Sequence, residues 1–361
     1  MQRMRTLAGI SILALVLAAC SSSEESMETT AEGAAEGDTN ATATMDDSNC
    51  AAAENYCVGL VTDIGKVDDK SFNQSAWEGA QAAAAEVGGY SKYIETTDTK
   101  DYAANMKQFT DKSYDVIVTV GFLMADATVA AAKENPTTKF IGVDQFQGEE
   151  VANVTGLVFP EDQAGYAAGY LAGLMTKTNK IGSVLGLEIA PVQLFAKGFE
   201  AGAIAANANV KVTTVYHPPA DNGFGDPVWG AAEAKKQLAQ GGDIIFGAGG
   251  GTGNGALAEI AKASGAGTSI FCIGVDTDQW GTVPEAQPCL ITSAMKGLVE
   301  GTSGLVKAAF DGSIAGGNFY GTTGIAPYHD FDSVVPADVK DKVAGVVAGL
   351  KDGSIKTGVT L

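Results

Sequence analysis

Positive charge is scarce in this chain: 23 lysines and arginines stand against 43 aspartates and glutamates, giving a formal net charge of −20 and a pI near 4.4. Phosphate neutralisation needs clustered Lys and Arg, and no basic stripe occurs, so nucleic acid is excluded as a partner. Histidine is rarer still, with only His217 and His329. Neither has the cysteine or carboxylate spacing of a zinc site, which leaves metal binding and triad catalysis poorly supported. Long apolar runs are missing as well. The stretch from Leu7 to Ala19 falls short of the roughly 20 residues that a membrane-spanning helix needs.

That stretch follows Arg3 and Arg5 and precedes Cys20, the charged, apolar and small-residue order of an export signal over residues 1–19. Leu17-Ala18-Ala19-Cys20 resembles a lipobox, in which cleavage leaves Cys20 to carry the lipid; an ordinary cleaved signal with an incidental cysteine is the plainer alternative. Several acyl chains on one residue give a stable anchor where one chain binds reversibly. Residues 20–49 are Ser, Glu, Thr, Ala, Gly and Asp with little to bury, and they read as an acidic flexible tether. The expected address is therefore a lipid anchor on the extracytoplasmic face of a cell membrane. Four cysteines remain in a compartment where disulfides persist. Of three possible pairings the short spans favour Cys50 with Cys57 and Cys272 with Cys289, against free buried thiols.

From Cys57 onward, runs such as Val58–Thr62, Val116–Val120, Phe140–Val143, Ile181–Leu185, Ile244–Phe246 and Ile270–Val275 alternate with helical stretches such as 74–87, 125–134, 163–175 and 233–239. This alternation predicts an α/β fold of parallel sheets covered by helices, and about 300 residues predict two lobes. Ligands of such sheets bind beyond the carboxyl ends of the strands. The residues found there are acidic, aromatic and glycine-rich: Asp63, then Asp68 to Asn73; Gly121-Phe122 with Asp126; Asp144-Gln145; Phe195 and Phe199; Gly247 to Gly253; and Asp276 to Gln279.

Several of these patterns have competing readings. Gly251-x-Gly253-x-x-Ala256 satisfies a relaxed dinucleotide fingerprint, yet the same glycines serve a turn that needs small residues. Ser293-x-x-Lys296 with Lys356-Thr357-Gly358 has the elements of penicillin-recognising enzymes, but no Ser-Asp-Asn lies between them. Asp276 ends a strand, where a carboxylate accepts hydrogen bonds from both hydroxyls of a cis-diol or simply caps a turn. Phe72 follows a loop of hydrogen-bonding side chains, a placement that suits stacking on a sugar or nucleobase.

Taken together, Gly59 to Asp63, Asp68-Asp69-Lys70-Ser71-Phe72-Asn73, Gln163-Ala164-Gly165-Tyr166, Phe195-x-x-Gly198-Phe199, Gly247-Ala248-Gly249-Gly250, Gly274 to Gln279 and Thr292 to Lys296 resemble the basic membrane protein family of purine nucleoside receptors. These are lipoprotein substrate-binding subunits of ABC importers. The resemblance implies a type I periplasmic-binding-protein fold, two Rossmann-like lobes joined by hinge strands. It implies an N-terminal lobe over 57–160, a C-terminal lobe over 161–280, and a return segment over 281–361 that packs on both. It further implies that Phe72 and Phe195 sandwich the base and that Asn73 and Asp126 bond its edge. Asp276, Lys296 and the Gly249–Gly250 backbone would hold the ribose, with Asp63 and Asp278 as lesser candidates. Phe199, one helical turn from Phe195, is the competing stacking residue.

Two departures bear on the pocket. Phe224-Gly225-Asp226-Pro227 stands where the family reads Trp-Gly-Asp-Pro, and Ala190 interrupts an Ile-Pro pair. The implied protein is a monomer that binds a nucleoside, needs no cofactor or metal, performs no chemistry and passes its ligand to a permease. A membrane-anchored sensor signalling through a partner and a nucleotide-dependent enzyme are the alternatives.

Overall fold

The computed structural model describes residues 36–38, 46–220 and 222–361. Cys20, the expected signal over 1–19 and most of the tether lie outside these residues. The strands and helices follow one another as β1 (Glu36–Asp38), β2 (Cys57–Ile64), α1 (Phe72–Glu86), β3 (Tyr90–Thr96), α2 (Tyr102–Thr110), β4 (Val116–Val120), α3 (Ala125–Glu134), β5 (Lys139–Val143) and β6 (Val154–Val158). Next come α4 (Glu161–Met175), β7 (Lys180–Leu185), α5 (Ala190–Ala206), β8 (Lys211–Tyr216), α6 (Pro227–Ala239), β9 (Ile244–Ala248), α7 (Gly250–Ile260), β10 (Phe271–Asp276), α8 (Gln279–Thr282) and β11 (Leu290–Lys296). The chain continues with α9 (Leu298–Phe310), β12 (Gly317–Tyr320), β13 (Thr323–Ile325) and α10 (Ala337–Asp352).

Two sheets result, ordered β1-β3-β2-β4-β5-β6-β12 and β13-β11-β10-β9-β7-β8. All neighbouring strands are parallel except β1 on β3 and β13 on β11. Central strands such as β2, β4 and β10 are buried along their whole length, as expected where helices cover both faces. The α/β class and two-lobed architecture read from the sequence are what the chain adopts.

The backbone passes between the lobes three times: after β6 into α4, after β11 into α9, and from β12 directly to β13. Main-chain bonds Gly297 N to Thr322 O (2.8 Å) and Gly321 N to Val158 O (2.9 Å) tie these crossings together. Disulfides join Cys50 to Cys57 and Cys272 to Cys289, the second bracing the starts of β10 and β11.

Helices α4 and α5 interlock through glycine. A Cβ on Gly165, Gly169 or Gly173 would lie 2.3, 1.9 or 2.5 Å from the carbonyls of Phe195, Phe199 or Ala203. From the other side, Cβ atoms on Gly198 and Gly202 would strike the carbonyls of Asp162 and Tyr166 at 2.2 and 2.0 Å. Backbone therefore meets backbone, which fixes the register of the two helices.

Helix α6 starts earlier than its apolar pattern predicts. Pro227 opens the first turn, where a missing N–H costs nothing, and the Asp226 carboxylate accepts from Trp229 N at 2.9 Å.

Candidate ligand-binding cleft

The carboxyl ends of both sheets face a cavity bounded by Phe72, Asn73 and Asp144 from the first lobe and by Phe195, Gly249 and Asp276 from the second. Each arrives by a local rule. Phe72 and Asn73 open α1, whose N-terminus is capped by Asp69: its carboxylate accepts from the backbone N–H groups of Ser71 (2.9 Å), Asn73 (2.9 Å) and Gln74 (3.1 Å). Asp144 and Asp276 follow or end strands with φ of 59° and 66°, a left-handed step that ends the extended run at each. Gly249 has φ of 152°, and a Cβ there would lie 2.4 Å from Gly186 N, so only glycine lets the two loops meet.

Lys296, at the end of β11, is the one buried lysine among the described residues. Its ammonium lies 2.5 Å from Asp144 and 3.1 Å from Glu161, and 5.1, 5.4 and 5.3 Å from the ring centres of Phe72, Phe159 and Phe195. Burial alone would push its pKa down, but Asp144, Glu161 and Asp276 outweigh it and hold the ammonium above the usual lysine range. Burial raises Asp63, Asp144 and Asp276 above ordinary carboxylates, and it raises Asp69 and Glu161 to about 7. One cation thus faces a ring of acids. Two buried oxygens in this cavity, Asn73 Oδ1 and Asp144 Oδ1, have no hydrogen-bond partner. Buried polar groups are ordinarily paired, so the site is short of donors.

A loop over residues 69–71 holds the lobes together across the mouth. Ser71 Oγ donates to Asp276 Oδ2 at 2.8 Å, Asn254 Nδ2 to the Asp69 carbonyl at 2.7 Å, and Thr282 Oγ1 to the Lys70 carbonyl at 2.7 Å. Asp276 therefore belongs both to the cavity and to the contact that closes it. Phe224, the family's Trp position, lines the cavity and packs over Gly186, where a Cβ would meet its ring at 2.3 Å. Ala190 does not line the cavity; its neighbours Ile189 and Pro191 do.

The residues expected from sequence divide sharply. Phe72, Asn73, Phe195, Gly249, Gly250, Asp276, Lys296 and Asp63 converge on one cavity. Asp63 is engaged there with Tyr102, with Ile64 N at 2.6 Å and with Leu123 N at 3.3 Å. Asp126 does not join them: it is exposed in the first turn of α3 and lines no part of the cavity. Asp278 is spent elsewhere, accepting from Trp280 N at 3.3 Å and contacting His329 Nε2 at 2.7 Å. Phe199 is fully buried and stacks on Phe246 in the core, centroids 5.2 Å apart. Of the fingerprint glycines, Gly253 packs against β9, where a Cβ would lie 3.0 Å from Gly247 C, and the adjacent Gly255 lets α7 meet the start of α6, a Cβ there lying 2.1 Å from Pro227 O. Ser293 is buried and accepts from Gln279 N at 3.2 Å.

The sequence places Asp144 at a strand end but gives it no role, and Glu161, which opens a crossing helix, is missed because nothing in its pattern marks it.

Residues 57–322 match the family described as ABC transporter substrate-binding protein, PnrA-like. A CD4+ T-cell-stimulating antigen of Listeria monocytogenes is 34% identical over 325 residues, covering 84% of this chain and 88% of its own length. Its Listeria innocua counterpart is 38% identical over 63% of this chain and 65% of its own length. The ABC transporter nucleoside-binding protein BmpA of Lactococcus lactis is 35% identical over 61% of this chain and 63% of its own. The chain thus spans just under two thirds of the length of the last two. Among solved structures, an ABC transporter solute-binding protein of Aeropyrum pernix superposes with a TM-score of 0.76 at 23% identity, covering 83% of this chain and 92% of that one.

Proposed function

The chain belongs to the PnrA-like family of ABC transporter substrate-binding proteins, and from that premise we propose that its cleft binds a nucleoside, purine-leaning, and passes it unaltered to an importer permease. One observation carries the reading: Asn73 Oδ1 and Asp144 Oδ1, both buried and unpartnered, share a cavity with the rings of Phe72 and Phe195. A ligand that satisfies them must donate hydrogen bonds and carry a flat face. Base stacking on such rings contributes ~1–3 kcal/mol per base. The surplus of carboxylates over the single ammonium repels phosphates and favours neutral hydroxyls, which donate to Asp276 and Asp144. In this reading Phe72 and Phe195 sandwich the base, Asn73 bonds its edge, and Asp276, Lys296 and the Gly249–Gly250 backbone hold the ribose. The name of the Lactococcus relative supports the ligand class.

The receptor works as a monomer, tethered outside the cytoplasm by a lipid on Cys20. No helix among the described residues is long and apolar enough to cross a membrane. Exclusion of water between the lobes strengthens each hydrogen bond, and sub-micromolar affinity corresponds to about −8 kcal/mol.

Titration calorimetry of the folded part with guanosine, inosine, adenosine, cytidine, ribose and NAD tests this. Sub-micromolar binding of a purine nucleoside is expected. Binding of NAD or a free sugar with no nucleoside response overturns it. Replacing Cys20 by alanine in the full chain is expected to release the protein from membranes, and retention there would refute the anchor.

A further inference from the structure

The Lys296 ammonium is a mobile point charge on a flexible four-carbon stem, and such a group needs restraint before it can read a ligand. Two carboxylates supply it from different parts of the fold. Asp144 stands just beyond β5 in the first lobe and lines the cavity; Glu161 opens α4, on the second-lobe side of a crossing, and does not line it. Glu161 is 3% exposed, with its carboxylate 3.1 Å from the ammonium. Burying an acid in this way costs desolvation that an ion pair offsets only with good geometry. Two features favour it here. The N-terminus of α4 carries the positive end of the helix dipole. The glycine contacts that lock α4 to α5 also fix Glu161 relative to Phe195, because Gly165 abuts the Phe195 carbonyl.

We propose that Glu161 is a positioning residue: without touching the ligand, it holds the Lys296 ammonium where the hydroxyl-bearing part of the ligand is read. Lysine has three N–H donors. With Asp144 bonded at 2.5 Å and Glu161 facing the ammonium at 3.1 Å, a third donor is left for the ligand. The remaining charged neighbours do not compete for this role. Asp162, next on α4, is bonded to Thr357, and Lys351 of α10 lies on a separate groove beside Pro160.

The inference rests on the nucleoside reading of the cleft, and its test separates the two. Calorimetry of wild type and Glu161→Gln is run with a ribonucleoside and its 2′,3′-dideoxy analogue. Glu161→Gln leaves Lys296 paired with Asp144 and removes only one restraint on it, so the ribonucleoside is expected to weaken by roughly ten-fold and the dideoxy analogue to stay within about two-fold. Equal weakening of both ligands, or no weakening of either, overturns the proposal while the nucleoside reading stands. A wild type that binds neither ligand overturns both. Should Glu161→Gln fail to fold, Glu161→Asp keeps the charge but shortens its reach. The same selective loss is expected of it, and an unselective one counts against the role.

Discussion

Strands β5 and β10 run into the same four residues, Ile141-Gly142-Val143-Asp144 and Ile273-Gly274-Val275-Asp276, and the two lobes then use the two aspartates differently. Both aspartates adopt positive φ, and in both lobes a following glutamine folds back over the glycine: a Cβ on Gly142 would lie 2.4 Å from Gln145 Oε1, and one on Gly274 2.5 Å from Gln279 Oε1. The backbone device is therefore repeated. Its partners are not, because Asp144 neutralises a buried ammonium while Asp276 accepts a hydroxyl from the opposite lobe. One copy pairs a buried charge, and the other bonds across the mouth of the cavity.

Removing each carboxylate breaks that comparison most directly. Asp144→Ala leaves Lys296 buried with a weaker set of partners and is expected to cost about 3 kcal/mol of folding stability. Asp276→Ala should abolish ribonucleoside binding yet leave the ligand-free melting temperature nearly unchanged, since Ser71 loses only one bond. Chemical denaturation beside calorimetry separates them; equal stability losses would mean that the two aspartates do the same job. A smaller effect sharpens the point. Ser71→Ala removes the side-chain bond to Asp276 across the mouth and is expected to lower affinity by about 1.5 kcal/mol, mostly as faster dissociation in stopped-flow traces. An unchanged off-rate would place closure elsewhere.

The smallest effect is on pH. Asp69 in the first lobe and Glu161 at the crossing titrate near 7 when folded, against about 4 when unfolded. The folded state therefore holds their protons more tightly, and the stability they contribute is lost as pH rises from about 4 through about 7. The ligand-free melting temperature should be a few degrees higher at acid than at alkaline pH. Ligand protection should run the opposite way, because Asp276, which burial also raises above ordinary carboxylates, must be ionised to accept from both hydroxyls. A melting temperature that rises with pH over this range would refute the assignment.

Much of this was legible in the sequence, for a definite reason. Strand ends are marked by β-branched runs that stop at polar residues, so Asp276 and Asp63 could be placed from pattern, and Phe72 from its loop. Phase on a helix is harder to read. Asp126 and Phe199 follow the pattern as well as their neighbours do, but one helical step turns the first to solvent and the second into the core. Asp278 illustrates a second limit, since a short helix N-terminus and His329 claim its carboxylate before any ligand could. The Asp144–Lys296–Glu161 cluster unites residues up to 152 positions apart. Only the crossing of the chain between lobes brings them together.

The loop over residues 69–71 has a practical consequence. The Asp69 and Lys70 carbonyls accept three bonds from the second lobe, from Asn254, Thr282 and Gln279, and the exposed Lys70 side chain takes no part in them. A dye attached at that position through Lys70→Cys would sit at the lip of the cavity without replacing any group that bonds across it. The fold thus carries a ready attachment point for a fluorescent sensor of its own ligand.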